Sequence, residues 1–302
     1  LLGGSPLSVD ALMARQLASV VATITERRGS APTTIAITHP ANWGSYKLDL
    51  LRQAVSRADL RGETVLVSEP HAAAIHYSAE HPLEHGEPIV IYDLGGGTFD
   101  VAVMRSSGTD FELLGEPEGI ERLGGIDFDH AVFRHVVGVV GAAVDQLDPD
   151  DPVVQAAVAR LHEECVRAKE ALSSDTEATI PVLLPTAQTR VRLTRTEFEA
   201  MIRPALGDTI TVTERALRTA GVEIGEVRAF VLVGGSSRIP LVAQLVTSAF
   251  GRPVVLDTHP KHAVALGAAL VACRAERARL VQTRPMPVVP PAATALAAPA
   301  AS

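Results

Sequence analysis

The sequence predicts an α/β fold of mixed sheets flanked by helices, in two lobes of which the first is incomplete. Three observations predict it. Residues 33–80 run strand, helix, strand, helix, an order that makes a parallel pair with covered faces. Residues 88–104, PIVIYDLGGGTFDVAVM, place two short apolar runs around three consecutive glycines, the pattern of a hairpin. The stretch FVLVGGSSRIP reads as a buried strand, a glycine turn and the start of a helix.

In chain order, the apolar residues Val9, Leu12, Met13, Leu17, Val20, Val21 and Ile24 keep a helical period from Ser8 to Arg27, with Ser8 placed as N-cap. Strands follow at about Thr33–Thr38 and Thr64–Ser68, separated by a helix from about Gly44 to Ala58 and followed by the short helix of AAAIHYSAE. Two parallel strands are too few for a stable sheet, so the first lobe is expected to lack a part. After the glycine-rich hairpin come a third strand near Phe111–Gly115, a helix from about Asp127 and a long helix over about Val153–Leu172. ATIPVLL and RVRLT are strand-like, and the segment from Thr194 to Gly221 is helical with a break expected near Pro204. RPVVLD supplies the last strand and HAVALGAALVACRAERARL the closing helix. Five prolines among alanines after Gln282 suit neither helix nor sheet, so a flexible tail is expected there. The expected division is a partial first lobe over 1–86, a second lobe with its helical and strand subdomain over 87–280, and a disordered tail over 281–302.

With 302 residues, 47% hydrophobic and 21% charged, the chain has the composition of a globular protein of one or two domains. A net charge of −8 without a basic stripe argues against nucleic acid as a partner. Cys165 and Cys273 form neither metal spacing nor a disulfide framework, which favours a reducing compartment, the cytoplasm. No apolar run approaches the ~18 residues of a membrane span, and LLGGSPLSVD has no basic region of a signal peptide.

The chemistry centres on DLGGGTFD. Gly95, Gly96 and Gly97 exceed what a simple turn requires; glycines let successive N–H groups converge on an anion with no Cβ in its way. Asp93 and Asp100 flank the turn roughly opposite each other, with Thr98 beside them. Two carboxylates and a hydroxyl next to a phosphate nest suit Mg²⁺, held through water. A period of two places Thr98, Asp100 and Ala102 on one face and Phe99, Val101 and Val103 toward the core. In GGSSRIP, Ser236 or Ser237 can cap the following helix, with Pro240 in its first turn. Val166, Lys169, Glu170 and Ser173 share one helix face. His39, His71 and His76 have no third convergent ligand and are read as structural.

DLGGGTFD resembles the second phosphate motif of the Hsp70 (DnaK-type) chaperones, within the actin-like ATPase (ribonuclease H-like) superfamily. GGSSRIP is similar to that family's adenine motif GGSTRIP, LGGIDFD to LGGEDFD, VSEPHAAA to NEPTAAA and HPKHAVALGAAL to NPDEAVAYGAA. The resemblance implies ATP or ADP with Mg²⁺ as cofactors. It implies Asp93 and Asp100 as Mg²⁺ carboxylates, and Gly124 and Gly125 as further amides near phosphate. Gly234, Gly235 and Ser236 would line the nucleoside, with Arg238 against the adenine face. Lys169 and Ser173 would grip ribose and adenine. Asp93 and Thr98 would serve catalysis, and Glu69 would polarise the attacking water. Co-chaperones or a nucleotide-exchange factor would be partners. Several positions depart from the family pattern: Val166 for Glu, Ile126 for an acid, Lys261 and His262 for two acids. The family's first phosphate motif and catalytic Lys have no match before Thr33, which reads as an N-terminal truncation. Gly267 is read as serving close helix packing. Two further readings stay open at this point: a non-hydrolysing nucleotide-sensing or interaction protein, and an actin-like sugar or acid kinase.

Overall fold

In chain order the elements are α1 (Val9–Arg28), β1 (Thr34–His39), α2 (Ser45–Arg57), β2 (Glu63–Ser68), α3 (Glu69–Glu80), β3 (Pro88–Leu94), β4 (Phe99–Ser106) and β5 (Phe111–Ile120). They continue with α4 (Gly125–Val140), α5 (Pro152–Ala171), β6 (Glu177–Leu184), β7 (Ala187–Thr194), α6 (Arg195–Ala220), β8 (Phe230–Val233), α7 (Pro240–Phe250), β9 (Val254–Leu256) and α8 (Ala263–Gln282). The structure, a computed structural model, describes residues 8–141, 144, 146–257 and 259–282. Most of the expected tail, from residue 283 on, lies outside them.

The central sheet has the order β5-β4-β3-β8-β9. Strand β3 pairs antiparallel with β4 and parallel with β8, so the sheet is mixed. Its apolar strands are buried on both faces. Val90, Tyr92, Phe99, Val101 and Val103 join a large core with α4–α7 and the β6–β7 hairpin. Ile89, Ile91, Ala102, Met104 and Val231 form a second core with α3 and α8. The expected split of β4 into a core face and a polar face is therefore corrected beyond Asp100. Helices cover both sides, and Ala102 is as buried as Val101. On α4, Phe128, Val132 and Val136 recur every four residues and are fully buried, each contributing about 1.5–3 kcal/mol.

Strands β1 and β2 form a separate two-stranded parallel sheet, in register from Thr34↔Glu63 to His39↔Ser68. Val67 and Ala72 on one side and Ala268 of α8 on the other join it to the rest. The α3–α8 contact is close: a Cβ on Gly267 would collide with the Ala72 carbonyl, so this glycine serves packing as expected. Helix α1 ends at Gly29, whose left-handed φ of 75° favours glycine.

The break expected at Pro204 does not occur; α6 runs unbroken from Arg195 to Ala220. The proline removes one N–H donor, yet Phe198 and Ile202 before it and Leu206 after it are buried, and this packing holds the helix across the defect. Strand β5 is longer than expected, reaching Ile120 through the opened register between Val101 and Val103 of β4. Among the described residues no helix is long and apolar enough to cross a membrane.

Candidate nucleotide site

The β3–β4 turn occupies Gly95–Thr98, and the pairing register places Asp93 directly opposite Asp100. The Gly95 N–H donates to the Thr98 carbonyl at 3.0 Å, closing the turn. Its carbonyls are tied down from outside. The Gly95 oxygen accepts from the Gly125 N–H (3.1 Å) and from Ser236 Oγ (2.8 Å), and the Gly96 oxygen accepts from the Ile126 N–H (2.8 Å). The N–H groups of Gly96, Gly97 and Thr98 have no acceptor among the described residues. Unpaired backbone donors at a turn form an anion-binding nest.

Helix α4 docks its first residues against this turn so tightly that a Cβ on Gly124 would lie 2.6 Å from Gly96 and Gly97 backbone atoms. The expectation that Gly124 and Gly125 lend amides to an anion is therefore corrected. The Gly124 N–H donates to the Asp127 carboxylate (2.9 Å) and the Gly125 N–H to Gly95. Both glycines instead build the turn's support, with Asp127 satisfying the first amide of the helix end.

Glu69 opens α3 directly after β2 and, with Asp93 and Asp100, borders a small cavity of about 20 Å³, room for about one water. Burial and neighbouring carboxylates disfavour ionisation here, most of all at Asp93. Burial, then Glu69 and Asp100, push Asp93 up to about 7. Burial and the Asp100 charge raise Glu69; burial raises Asp100 against the hydrogen bond from Thr98. Among the described residues no three His, Cys, Asp or Glu side chains enclose a metal ion by themselves. Hard carboxylate oxygens that repel one another beside an anion nest nevertheless fit Mg²⁺, which keeps several waters and shares phosphate ligands.

A larger cleft of about 780 Å³ opens on the other side of Asp93. It brings together Gly95 and Gly96 of the turn, Gly125 of α4, Lys169 of α5, Ser173 just past the end of α5, and Gly234, Gly235, Ser236 and Arg238 after β8. Of the remaining sequence-predicted residues, Glu69 and Asp100 border the small cavity instead, and Gly97, Thr98 and Gly124 border neither. Gly234 has a φ of 83°, and a Cβ there would strike the Asp93 carboxylate and the Leu94 carbonyl, so a glycine is required for β8 to leave the sheet beside the turn. Neither serine caps α7. Ser236 is spent on Gly95 and Ser237 donates to the Val233 carbonyl (2.6 Å), because Gly235–Arg238 form a 3₁₀ turn and Ile239 takes the N-cap position. Pro240 starts the helix as expected.

Lys169 Nζ is committed to Asp129 (2.7 Å) and the Gly125 carbonyl (3.1 Å). Asp129 was not singled out from the sequence, although it stands four residues after Gly125 on α4, one turn into the helix that meets the turn. Arg238, Glu170 and Lys261 line the cleft without an ion-pair partner among the described residues. Two of the histidines tie α3 to other parts of the chain, His71 through Asp110 (2.7 Å) and His76 through Asp257 (2.8 Å), whereas His39 Nδ1 lies 2.9 Å from the carbonyl oxygen of the next residue, Pro40.

A family model described as Hsp70 protein matches residues 3–279. The chaperone protein HscA homolog of Burkholderia mallei is 38% identical over 264 residues, 84% of this chain and 40% of that protein. The HscA homolog of Pseudomonas fluorescens is 41% identical over 240 residues, 78% of this chain and 36% of that protein. The chain thus spans about 40% of the length of the curated relatives it matches. With its mixed sheet between helices, the fold is that of the actin-like ATPases, and the chain belongs to the Hsp70 family.

Proposed function

We propose that this chain binds ATP and ADP with Mg²⁺ as the nucleotide-binding portion of an Hsp70-type chaperone. The observation that carries this reading is the row of unpaired amides at Gly96, Gly97 and Thr98, beside two opposed carboxylates, on a turn whose Gly95 and Gly96 line a cleft large enough for a nucleoside. The amides take the phosphates, and Asp93 and Asp100 hold a hydrated Mg²⁺, which neutralises phosphate charge when bound. Glu69, held at the start of α3 on the far side of the small cavity, orients water and accepts its proton in the intact protein's hydrolysis of ATP to ADP. Gly234, Gly235 and Ser236 give close approach to the nucleoside, Arg238 packs on the base, and Lys169 with Ser173 borders the sugar. The lobes run over residues 1–86 and 87–280. Co-chaperones or an exchange factor are the protein partners, and two unpaired cysteines fit a cytoplasmic setting.

The test separates fold from function at Gly96, where a Cβ meets nothing within 4 Å and φ is not left-handed. Gly96→Val should keep the thermal melt of the parent while losing MgADP and MgATP binding by calorimetry more than tenfold. A parent protein that binds neither nucleotide, or a folded Gly96→Val variant that binds like the parent, would refute the proposal.

A further inference from the structure

We propose that His76 and Asp257 are positioning residues for nucleotide binding. Their pair fixes the turn between β9 and α8, which walls the cleft beside Gly234, and ties that turn to the helix carrying Glu69. The inference rests on the nucleotide reading above and adds two residues that line neither cavity.

His76 Nε2 lies 2.8 Å from Asp257 Oδ2, and each side chain is only 13% exposed. A contact this sheltered is screened far less than the pairs on the protein's surface. A carboxylate oxygen accepts and does not donate, so Nε2 carries the shared proton and the ring is held in one orientation. His76 stands on α3 about two turns beyond Glu69, so the two share a helix face. The helix between them is locked in register. The Ala72 carbonyl abuts Gly267 of α8, and Ala73, Ile75 and Tyr77 are buried in one core with Ala263.

Asp257 follows directly on β9, and its other oxygen accepts from the His259 N–H (2.6 Å). Backbone contacts carry this hold into the cleft. The His259 carbonyl accepts from the N–H groups of His262 and Ala263 (2.7 and 3.1 Å), where α8 begins, and the Pro260 carbonyl accepts from the Gly234 N–H (3.0 Å). Pro260 is buried and lines the cleft with Leu256, Lys261 and Val264, beside Gly234 and Gly235. A displaced turn would withdraw the Pro260 acceptor from the glycine that has to stay clear of the Asp93 carboxylate. The other histidine pair of α3 supplies the contrast. His71 meets Asp110 at 2.7 Å, but Asp110 lies between β4 and β5 and borders neither cavity. A pair that merely staples α3 would act alike in both places; a positioning pair acts at His76 alone.

Calorimetric titration with MgADP, beside a thermal melt of each variant, tests this. His76→Leu removes the donor and should lose at least fivefold in affinity. Asp257→Ser should lose as much, since its hydroxyl still reaches the His259 amide but not His76. The double variant should bind within twofold of the weaker single variant, because both changes break one contact. His76→Gln presents an N–H where Nε2 stood and should bind within twofold of the parent, as should His71→Leu. If His76→Leu does not fold, Asp257→Ser carries the test. A folded His76→Leu or Asp257→Ser that binds like the parent overturns the inference alone. So do losses that multiply in the double variant, a Gln variant as weak as the Leu variant, or an equal loss in His71→Leu. A parent that binds no MgADP overturns it together with the nucleotide reading.

Discussion

Replacing Asp93 with Asn should stabilise the free protein at neutral pH while abolishing the function proposed for the site. Asp93 sits between Glu69 and Asp100, and burial with these two charges raises it from an ordinary 3.8 to about 7. A gap of about 3 in pKa at 1.36 kcal/mol each is an upper bound of about 4 kcal/mol against the charged form. The side chain opens onto the cleft and is partly solvated there, so about 2 kcal/mol is the expected gain. The sign follows from proton uptake. The folded state holds this proton where the unfolded state has released it, so stability falls as pH rises from about 4 to about 7 and is level above that. Urea unfolding of parent and Asp93→Asn at pH 4 and pH 8 should therefore give nearly equal stabilities in acid and a variant about 2 kcal/mol more stable at pH 8. The same variant should bind MgADP at least tenfold more weakly. A variant that is less stable at pH 8, or whose advantage is as large at pH 4 as at pH 8, refutes the account of mutually disfavoured carboxylates.

Tyr92 and Thr209 meet in the main core at 2.6 Å, and the Thr209 hydroxyl also donates to the Leu206 carbonyl. Tyr92→Phe leaves Thr209 with that acceptor and should cost about 1 kcal/mol in urea unfolding, whereas Thr209→Val strands a buried phenol and should cost about 2–3 kcal/mol; the reverse order contradicts the donor assignment. Gly267→Leu drives a side chain into the Ala72 carbonyl and should cost at least 3 kcal/mol, seen as a lower thermal midpoint. Gly207→Ala, on the exposed side of α6 with open space around its Cβ, should gain about 0.5–1 kcal/mol in the same measurement.

Much of the site was legible because its chemistry is local. Asp93, Gly95, Gly96, Gly97 and Asp100 lie within eight consecutive positions, and a hairpin of that length brings its own ends together whatever surrounds it. The Gly267 packing was legible for a similar reason: a small residue among alanines on an apolar helix has few other uses. What escaped depends on which element docks where. Whether the Gly124 and Gly125 amides face a ligand or the protein is decided by α4 seating its first turn on Gly95 and Gly96, a contact that no pattern within LGGIDFD encodes. Ser236 reads equally well as a helix cap and as a tether, and only the position of Gly95, 141 residues away in sequence, selects the second. Asp129 became relevant when α5 delivered Lys169 to it. The uninterrupted α6 makes the same point in energetic terms. A proline costs an isolated helix about 3 kcal/mol, a sum that two or three fully buried side chains offset. Phe198, Ile202 and Leu206 supply them, and their value is set by a core drawn from strands more than a hundred residues upstream.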